Sequence, residues 1–213
     1  MKKNRLSEID FYFITDSGLS KNIFNDAADA LKAGCKIIQY REKNKNTEEM
    51  TEDALQLKKL CNNKAIFIVN DNADVAKKTG ADGVHIGQDD VSYSTARKIL
   101  GNNKIIGVTV HNLKEAIAAE KIGADYVGLS PIFATSTKKD AGKAVGVEMI
   151  KKVRKEIKIP IVAIGGISKK NVAEVIKAGA DSAAAISAVL CAGNVQKEIL
   201  EFRKIINENK TFI

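Results

Sequence analysis

The stretch Lys121-Ile122-Gly123-Ala124-Asp125-Tyr126-Val127-Gly128-Leu129 decides the architecture. A lysine in a last helical turn, a glycine for the left-handed position beyond it and then an apolar run mark a helix ending and a strand beginning. The pattern recurs in Lys32-Ala33-Gly34-Cys35-Lys36 before Ile37-Ile38-Gln39, in Lys78-Thr79-Gly80-Ala81-Asp82 before Gly83-Val84-His85-Ile86, and in Lys177-Ala178-Gly179-Ala180-Asp181 before Ser182. The four glycines are 46, 43 and 56 residues apart. One strand–helix unit takes roughly 20–25 residues, so each interval holds two. Four further apolar runs lie between the repeats, at Phe11–Thr15, Ala65–Val69, Ile105–Val110 and Pro160–Gly165, which makes eight strands.

The segments between them have helical period. Met50, Ala54, Leu57 and Cys61 form one apolar stripe, and Val195, Ile199, Phe202 and Ile206 another. Thr47, Asn112 and Ser168 stand where N-caps belong, with Glu115 three residues after Asn112. The strands are continuous apolar runs, as in a parallel sheet covered on both faces. Eight such units predict a single (β/α)8 TIM barrel of α/β class, one catalytic domain over residues 1–213, at the small end of that fold's range. A doubly wound open sheet is the alternative.

Composition narrows the function. With 45% hydrophobic residues and 2 prolines the chain is neither disordered nor a linker. No apolar run reaches the roughly 20 residues that span a bilayer. The basic start is followed by Ser7, Glu8 and Asp10 where a signal peptide would be apolar, so a cytoplasmic protein without membrane partners is expected. Cys35, Cys61 and Cys191 contain no CxxC pair and read as small buried hydrophobes. Two histidines, His85 and His111, do not suggest a zinc site. The net charge of +8 is spread along the chain without interleaved aromatics, which points to a solvated surface and away from nucleic acid.

In such a barrel the chemistry sits on the loops that follow the strands. These carry Gln39, Arg41 and Lys43, then Asn70 and Asp71, Asp90, Thr109 and His111, and Gly165-Gly166 before Ile186-Ser187. Asp71 and Asp90 on neighbouring strands can reach one cation, beside Arg41 and Lys43, which suit phosphate. Two acids beside two bases suggest a metal-bound diphosphate; an ordinary rim of salt bridges has the same residues. The glycine pair allows close approach of a phosphate to the backbone, or simply a tight turn. The third glycine interval is longer by 10 and 13 residues than the others. Its surplus at 133–145, rich in Thr, Lys and Gly, reads as a segment closing over substrate. His111 suits either a general acid or base or a structural histidine, and His85 reads as packing.

The chain resembles the thiamine phosphate synthase family over almost its full length. The resemblance rests on Phe13-Ile14-Thr15-Asp16, Gln39-Tyr40-Arg41-Glu42-Lys43, Asn70-Asp71, Gly80 to Asp90, Gly107-Val108-Thr109, Gly123 to Gly128, Pro131 to Lys138 and Ala163 to Ile167. It implies a magnesium-dependent transferase of thiamine biosynthesis. An aminopyrimidine methyl diphosphate ionises, and the nitrogen of a thiazole phosphate, plain or carboxylated, takes the methylene. Thiamine phosphate and diphosphate result, through a dissociative, carbocation-like step.

By that resemblance Asp71 and Asp90 would hold Mg2+, and Arg41, Lys43, Asn70 and Lys138 would bind diphosphate. Gln39 and Thr109 would meet the pyrimidine. Thr135, Thr137, Gly166, Ile186 and Ser187 would hold the thiazole phosphate, the last three mainly by backbone. The chain departs from its relatives at Tyr40, Thr109, Ala134 and Ser182, none a charged or metal-binding position. Three other readings compete: a thiazole tautomerase of the same fold using His111, a non-catalytic thiazole or thiamine phosphate sensor, and a phosphate-sugar isomerase barrel, which needs no acid pair. The sequence is compatible with a homo-oligomer as well as a monomer.

Overall fold

The computed structural model describes residue 6, residues 8–135, residue 137 and residues 142–210. The strands are β1 (Tyr12–Ile14), β2 (Ile37–Tyr40), β3 (Ile66–Asn70), β4 (Gly83–Ile86), β5 (Ile105–Val110), β6 (Tyr126–Leu129), β7 (Ile161–Ile164) and β8 (Ser182–Ala184). Helices α1 (Ile23–Lys32), α2 (Thr47–Cys61), α3 (Ala73–Lys78), α4 (Tyr93–Leu100), α5 (Leu113–Lys121), α6 (Val147–Glu156) and α7 (Val172–Lys177) alternate with them. Then α8 (Ser187–Leu190) and α9 (Val195–Asn209) follow β8. All neighbouring strands pair in parallel, in sequence order. The ring closes where Phe11 forms a parallel bridge with Ala183, and Ala183 N–H donates to Asp10 O at 3.3 Å. Closure excludes the open doubly wound sheet and makes this a (β/α)8 barrel.

The repeat that counts the strands also fastens them. Gly34, Gly80, Gly123 and Gly179 have φ of 85°, 66°, 93° and 106°, the left-handed conformation that ends each preceding helix. In three of the repeats the aspartate then binds the strand that comes before its own. Asp82 Oδ2 accepts from Phe67 N at 2.9 Å, Asp125 Oδ2 from Ile106 N at 2.8 Å and Asp181 Oδ2 from Ile161 N at 2.7 Å. Each carboxylate also meets a cation from the helix following that strand's predecessor: Lys58 of α2, Arg97 of α4 and Arg154 of α6. Asp10, just before β1, binds its own strand instead, accepting from Phe11 N at 2.7 Å, and also accepts from Arg203 Nε of α9 at 2.8 Å. N–H groups at the bottom of β1, β3, β5 and β7, otherwise left without a ladder partner, are satisfied in this way.

Two apolar layers result. Phe11, Phe13, Ile38, Phe67, Val69, Val84, Ile106, Val127, Leu129 and Ile161 face the helices, whose stripes (Met50, Ala54, Leu57, Cys61 and Val195, Ile199, Phe202, Ile206) are buried as expected. Tyr12, Ile14, Ile37, Ile66, Ile68, Ile105, Tyr126, Val162 and Ala184 fill the barrel's interior. The runs that look uniformly apolar therefore carry a period of two, one parity outward and the other inward.

Some local expectations are corrected. The N-cap of α2 is Asn46, not Thr47: Asn46 accepts from Glu48 N and Glu49 N, and Glu49 returns a carboxylate to Asn46 N at 3.0 Å, completing a capping box one residue earlier. The N-cap of α7 is Asn171, not Ser168; the Ser168 N–H donates to Asn171 Oδ1 at 2.8 Å, so the turn before the helix is closed from its far end. Asn112 caps α5 as expected. Cys191 is exposed, in the loop after α8, whereas Cys35 and Cys61 are buried. Strand ends differ by a residue, β1 being Tyr12–Ile14 and β3 Ile66–Asn70. Among the described residues no helix is long and apolar enough to cross a membrane.

Candidate active site

The C-terminal ends of the strands open on a cavity of about 330 Å³. Inward parity puts Gln39, Arg41, Asn70, Thr109 and Ile186 on its wall, and the loops add Lys43, Asp71, Asp90, Thr135, Thr137, Gly166 and Ser187. Lys138 lies outside the described residues, as does part of the 133–145 segment.

One side is charged. Thr15 Oγ1 accepts from Arg41 N at 3.0 Å, and the Asp16 carboxylate accepts from Arg41 Nη1, so the end of β1 holds both backbone and guanidinium. Glu42 Oε1 accepts the N–H groups of Lys43 and Asn44, both at 2.7 Å, which fixes the start of the loop. Burial alone would raise the Glu42 carboxyl, but these N–H donors together with Ser17 and the Lys45 charge outweigh it and hold it below the ordinary range. Lys43 then reaches Asp71, Nζ to Oδ2 2.6 Å.

Asp71 has φ 62°, a left-handed position that aspartate tolerates, and its N–H is tied to His85 O at 2.7 Å. The Asp90 carboxyl lies beside that of Asp71, and its Oδ2 accepts from Gly87 N at 2.7 Å. Burial, and then Asp71, push the Asp90 carboxyl above its usual range. Two neighbouring carboxylates are short of positive charge, which is the chemistry of a pair that could hold a divalent cation. Among the described residues no larger cluster of His, Cys, Asp or Glu forms.

The described residues on the opposite side are neutral. Thr137 Oγ1 donates to Ser187 Oγ at 3.2 Å, and Thr137 N donates to Thr135 Oγ1 at 3.3 Å. Gly166, at φ 63°, passes so close to the next loop that a Cβ there would lie 2.5 Å from Ala134 O. Among the described residues this end presents hydroxyls and backbone without a carboxylate, as an anion requires.

The floor is a polar chain that the sequence did not reveal. Gln39, Tyr12, Tyr126, His85 and Thr109 are linked in that order by hydrogen bonds, so His85 is not mere packing. Two glycines make room: a Cβ on Gly107 would lie 2.1 Å from Tyr126 Cζ, and one on Gly128 3.0 Å from His85 Cε1. Asp16 and Glu42 were missed as supports as well. The available signal was parity, since Tyr12, Gln39, His85, Thr109 and Tyr126 all occupy inward positions of apolar strands. His111, by contrast, hydrogen-bonds the Ser130 carbonyl through Nδ1 and Glu115 through its N–H, and lines the cavity edge.

A closed (β/α)8 barrel with an acid pair and two cations on one side of its mouth, and a hydroxyl-and-glycine cradle on the other, is built for a small molecule carrying phosphates. The family model described as thiamine monophosphate synthase matches residues 11–189, and the chain belongs to that family. It is 59% identical over 211 residues to a thiamine-phosphate synthase of Methanosarcina mazei, covering 99% of this chain and 88% of the relative. It is 55% identical to one from Methanosarcina barkeri, covering 98% and 96%. A solved thiamine phosphate pyrophosphorylase from Pyrococcus furiosus superposes with a TM-score of 0.88 at 43% identity, covering 95% of this chain and 97% of that one.

Proposed function

We propose that this protein is a thiamine phosphate synthase, a transferase that joins an aminopyrimidine methyl diphosphate to a thiazole phosphate. The observation that carries the reading is the polarity of one cavity: Arg41, Lys43, Asp71 and Asp90 at one side, Thr135, Thr137, Gly166 and Ser187 at the other. A diphosphate and a monophosphate would bind at the two sides, with their rings between them.

In the proposed reaction the bond from the pyrimidine methylene to the diphosphate oxygen breaks, and the thiazole nitrogen forms the new bond to that carbon. Charge accumulates on the leaving oxygens, so fixed cations aimed at them lower the barrier. Arg41 offers a fork already oriented by Asp16, and Lys43 a point charge. Asn70, buried at the end of β3, adds an amide, and Lys138 joins this set by family resemblance. Asp71 and Asp90 are the residues that would hold Mg2+; when bound, the ion would neutralise charge on the departing diphosphate. Gln39 and Thr109 would orient the pyrimidine, and Ile186 and Ser187 would close on the thiazole phosphate. No side chain needs to act as nucleophile. We take the protein to act in the cytoplasm on these small molecules, without a nucleic-acid or membrane partner.

The test is product formation from the two substrates, with and without Mg2+. Thiamine phosphate formed only with the ion is the expected result. A folded protein that makes none, yet exchanges protons on the thiazole, would move the assignment to the tautomerase.

A further inference from the structure

The polar chain on the barrel floor has a direction, and the direction selects a ligand. Gln39 Nε2 donates to Tyr12 Oη at 3.0 Å. The oxygens of Tyr12 and Tyr126 are 2.7 Å apart, Tyr126 Oη is 2.9 Å from His85 Nδ1, and His85 Nε2 is 2.8 Å from Thr109 Oγ1. Each phenol has one proton to give. Tyr12, having accepted from Gln39, donates to Tyr126; Tyr126 donates to His85 Nδ1. A neutral imidazole accepting at Nδ1 carries its proton on Nε2 and donates to Thr109. The Thr109 hydroxyl proton is then left over for the cavity, and at the other end the Gln39 amide oxygen is left as an acceptor.

With a neutral imidazole the chain has one alternative. If the Gln39 amide turns over, every bond reverses, Thr109 becomes an acceptor and Gln39 a donor. An intermediate arrangement sets two protons, or two lone pairs, against each other between neighbouring groups of the chain, which is unfavourable. The two ends therefore change together. Burial pushes both phenols far above their ordinary range, so neither gives up its proton at neutral pH.

We propose that this relay is the element that selects the amino over the oxo form of the pyrimidine, with Tyr12, Tyr126 and His85 as positioning residues. The inference rests on the synthase reading for the identity of the ring. An amino group beside a ring nitrogen presents a donor and then an acceptor, which matches Gln39 Oε1 and the Thr109 hydroxyl. An oxo group beside a ring N–H presents the reverse, and all five side chains must reverse to receive it. A site with its hydrogen bonds committed rejects the mismatched analogue far more strongly than a shape difference would.

The first measurement is ligand-free. Nitrogen NMR of protein labelled with [15N]histidine, assigned with a His111→Asn variant, should show the Nε2–H tautomer at His85 and the Nδ1–H tautomer at His111. An Nδ1–H tautomer at His85 overturns the direction of the relay. The second measurement is the ratio of kcat/KM for the amino and oxo pyrimidine diphosphates in the wild type and in Tyr126→Phe, which cuts the chain at its centre. The ratio should fall by about 10-fold or more. A wild-type protein that turns over the amino substrate while Tyr126→Phe keeps the same ratio overturns the proposal and leaves the synthase reading intact. A wild type inert towards the amino substrate overturns the synthase reading instead, and the tautomer at His85 still decides the relay. The tautomer also decides it if Tyr126→Phe does not fold.

Discussion

Lys43 Nζ lies 2.6 Å from Asp71 Oδ2, and the Asp90 carboxyl lies beside Asp71 on the same side of the cavity. A lysine thus supplies part of the positive charge the acid pair lacks, from the same side of the cavity that would receive diphosphate. The pair is substantially open to solvent, so its worth to folding is about 1 kcal/mol or less. Asp71→Asn keeps a side chain that tolerates the left-handed backbone. It is expected to lower turnover by about 100-fold, as loss of one electrostatic stabiliser does, with the melting temperature changed by only a few degrees. Parallel melts and steady-state assays check this; equal loss of both would make Asp71 structural.

Asp16 should act through Arg41. The two side chains are mostly buried, so Asp16→Asn leaves a guanidinium with less compensation, costing about 1–3 kcal/mol of stability. Because Arg41 is then held only by its backbone, KM for the diphosphate substrate should rise by about 3- to 10-fold with a smaller change in kcat. A change confined to stability would show that the pair serves folding alone.

Glu42 gives a pH signature. Its carboxyl is lowered in the folded protein, so its contribution is fully present above the unfolded value near 4.5 and is lost as pH falls through the folded one. Glu42→Gln should melt earlier than wild type at pH 7, and the two curves should converge below pH 4. Thermal melts across that range test it.

Gly107 is required by the ring beside it. A Cβ 2.1 Å from Tyr126 Cζ forces the phenol to move, and overpacking of this kind costs about 1–3 kcal/mol. Gly107→Ala should lower the melting temperature and cut kcat/KM for the pyrimidine substrate.

His111→Ala should keep substantial synthase activity, since His111 is engaged with Ser130 and Glu115 at the rim. Abolished activity in a folded variant would restore the acid–base role.

The lysine–glycine repeat made the strand count and parallel order readable, because a helix end and the left-handed residue beyond it have a local chemical signature. The residues of the cavity wall were readable for a related reason: polar groups at the ends of apolar strands have few other uses. What sequence hid was parity. Tyr12 and Tyr126 look like two more hydrophobes until the register Tyr12↔Ile37 and Gly107↔Tyr126 turns them inward. Asp82, Asp125 and Asp181 stood in plain view within the repeat, yet their partners are 24 to 28 residues away on other elements. The same distance hid Asp16 as the partner of Arg41.

The ring's seam has a dynamic consequence. Every other neighbouring pair shares a ladder of three or four residues, whereas β1 and β8 meet through one bridge. The segment before β1 is held instead by α9, whose Arg203 spans from Asp10 to the Ala33 carbonyl, helped by Asn207 and Lys210. All of this lies at the bottom of the barrel, away from the cavity. The amide of Ala183 should therefore exchange with solvent sooner than that of Val127, and the chain cannot lock its first strand until its last helix has left the ribosome.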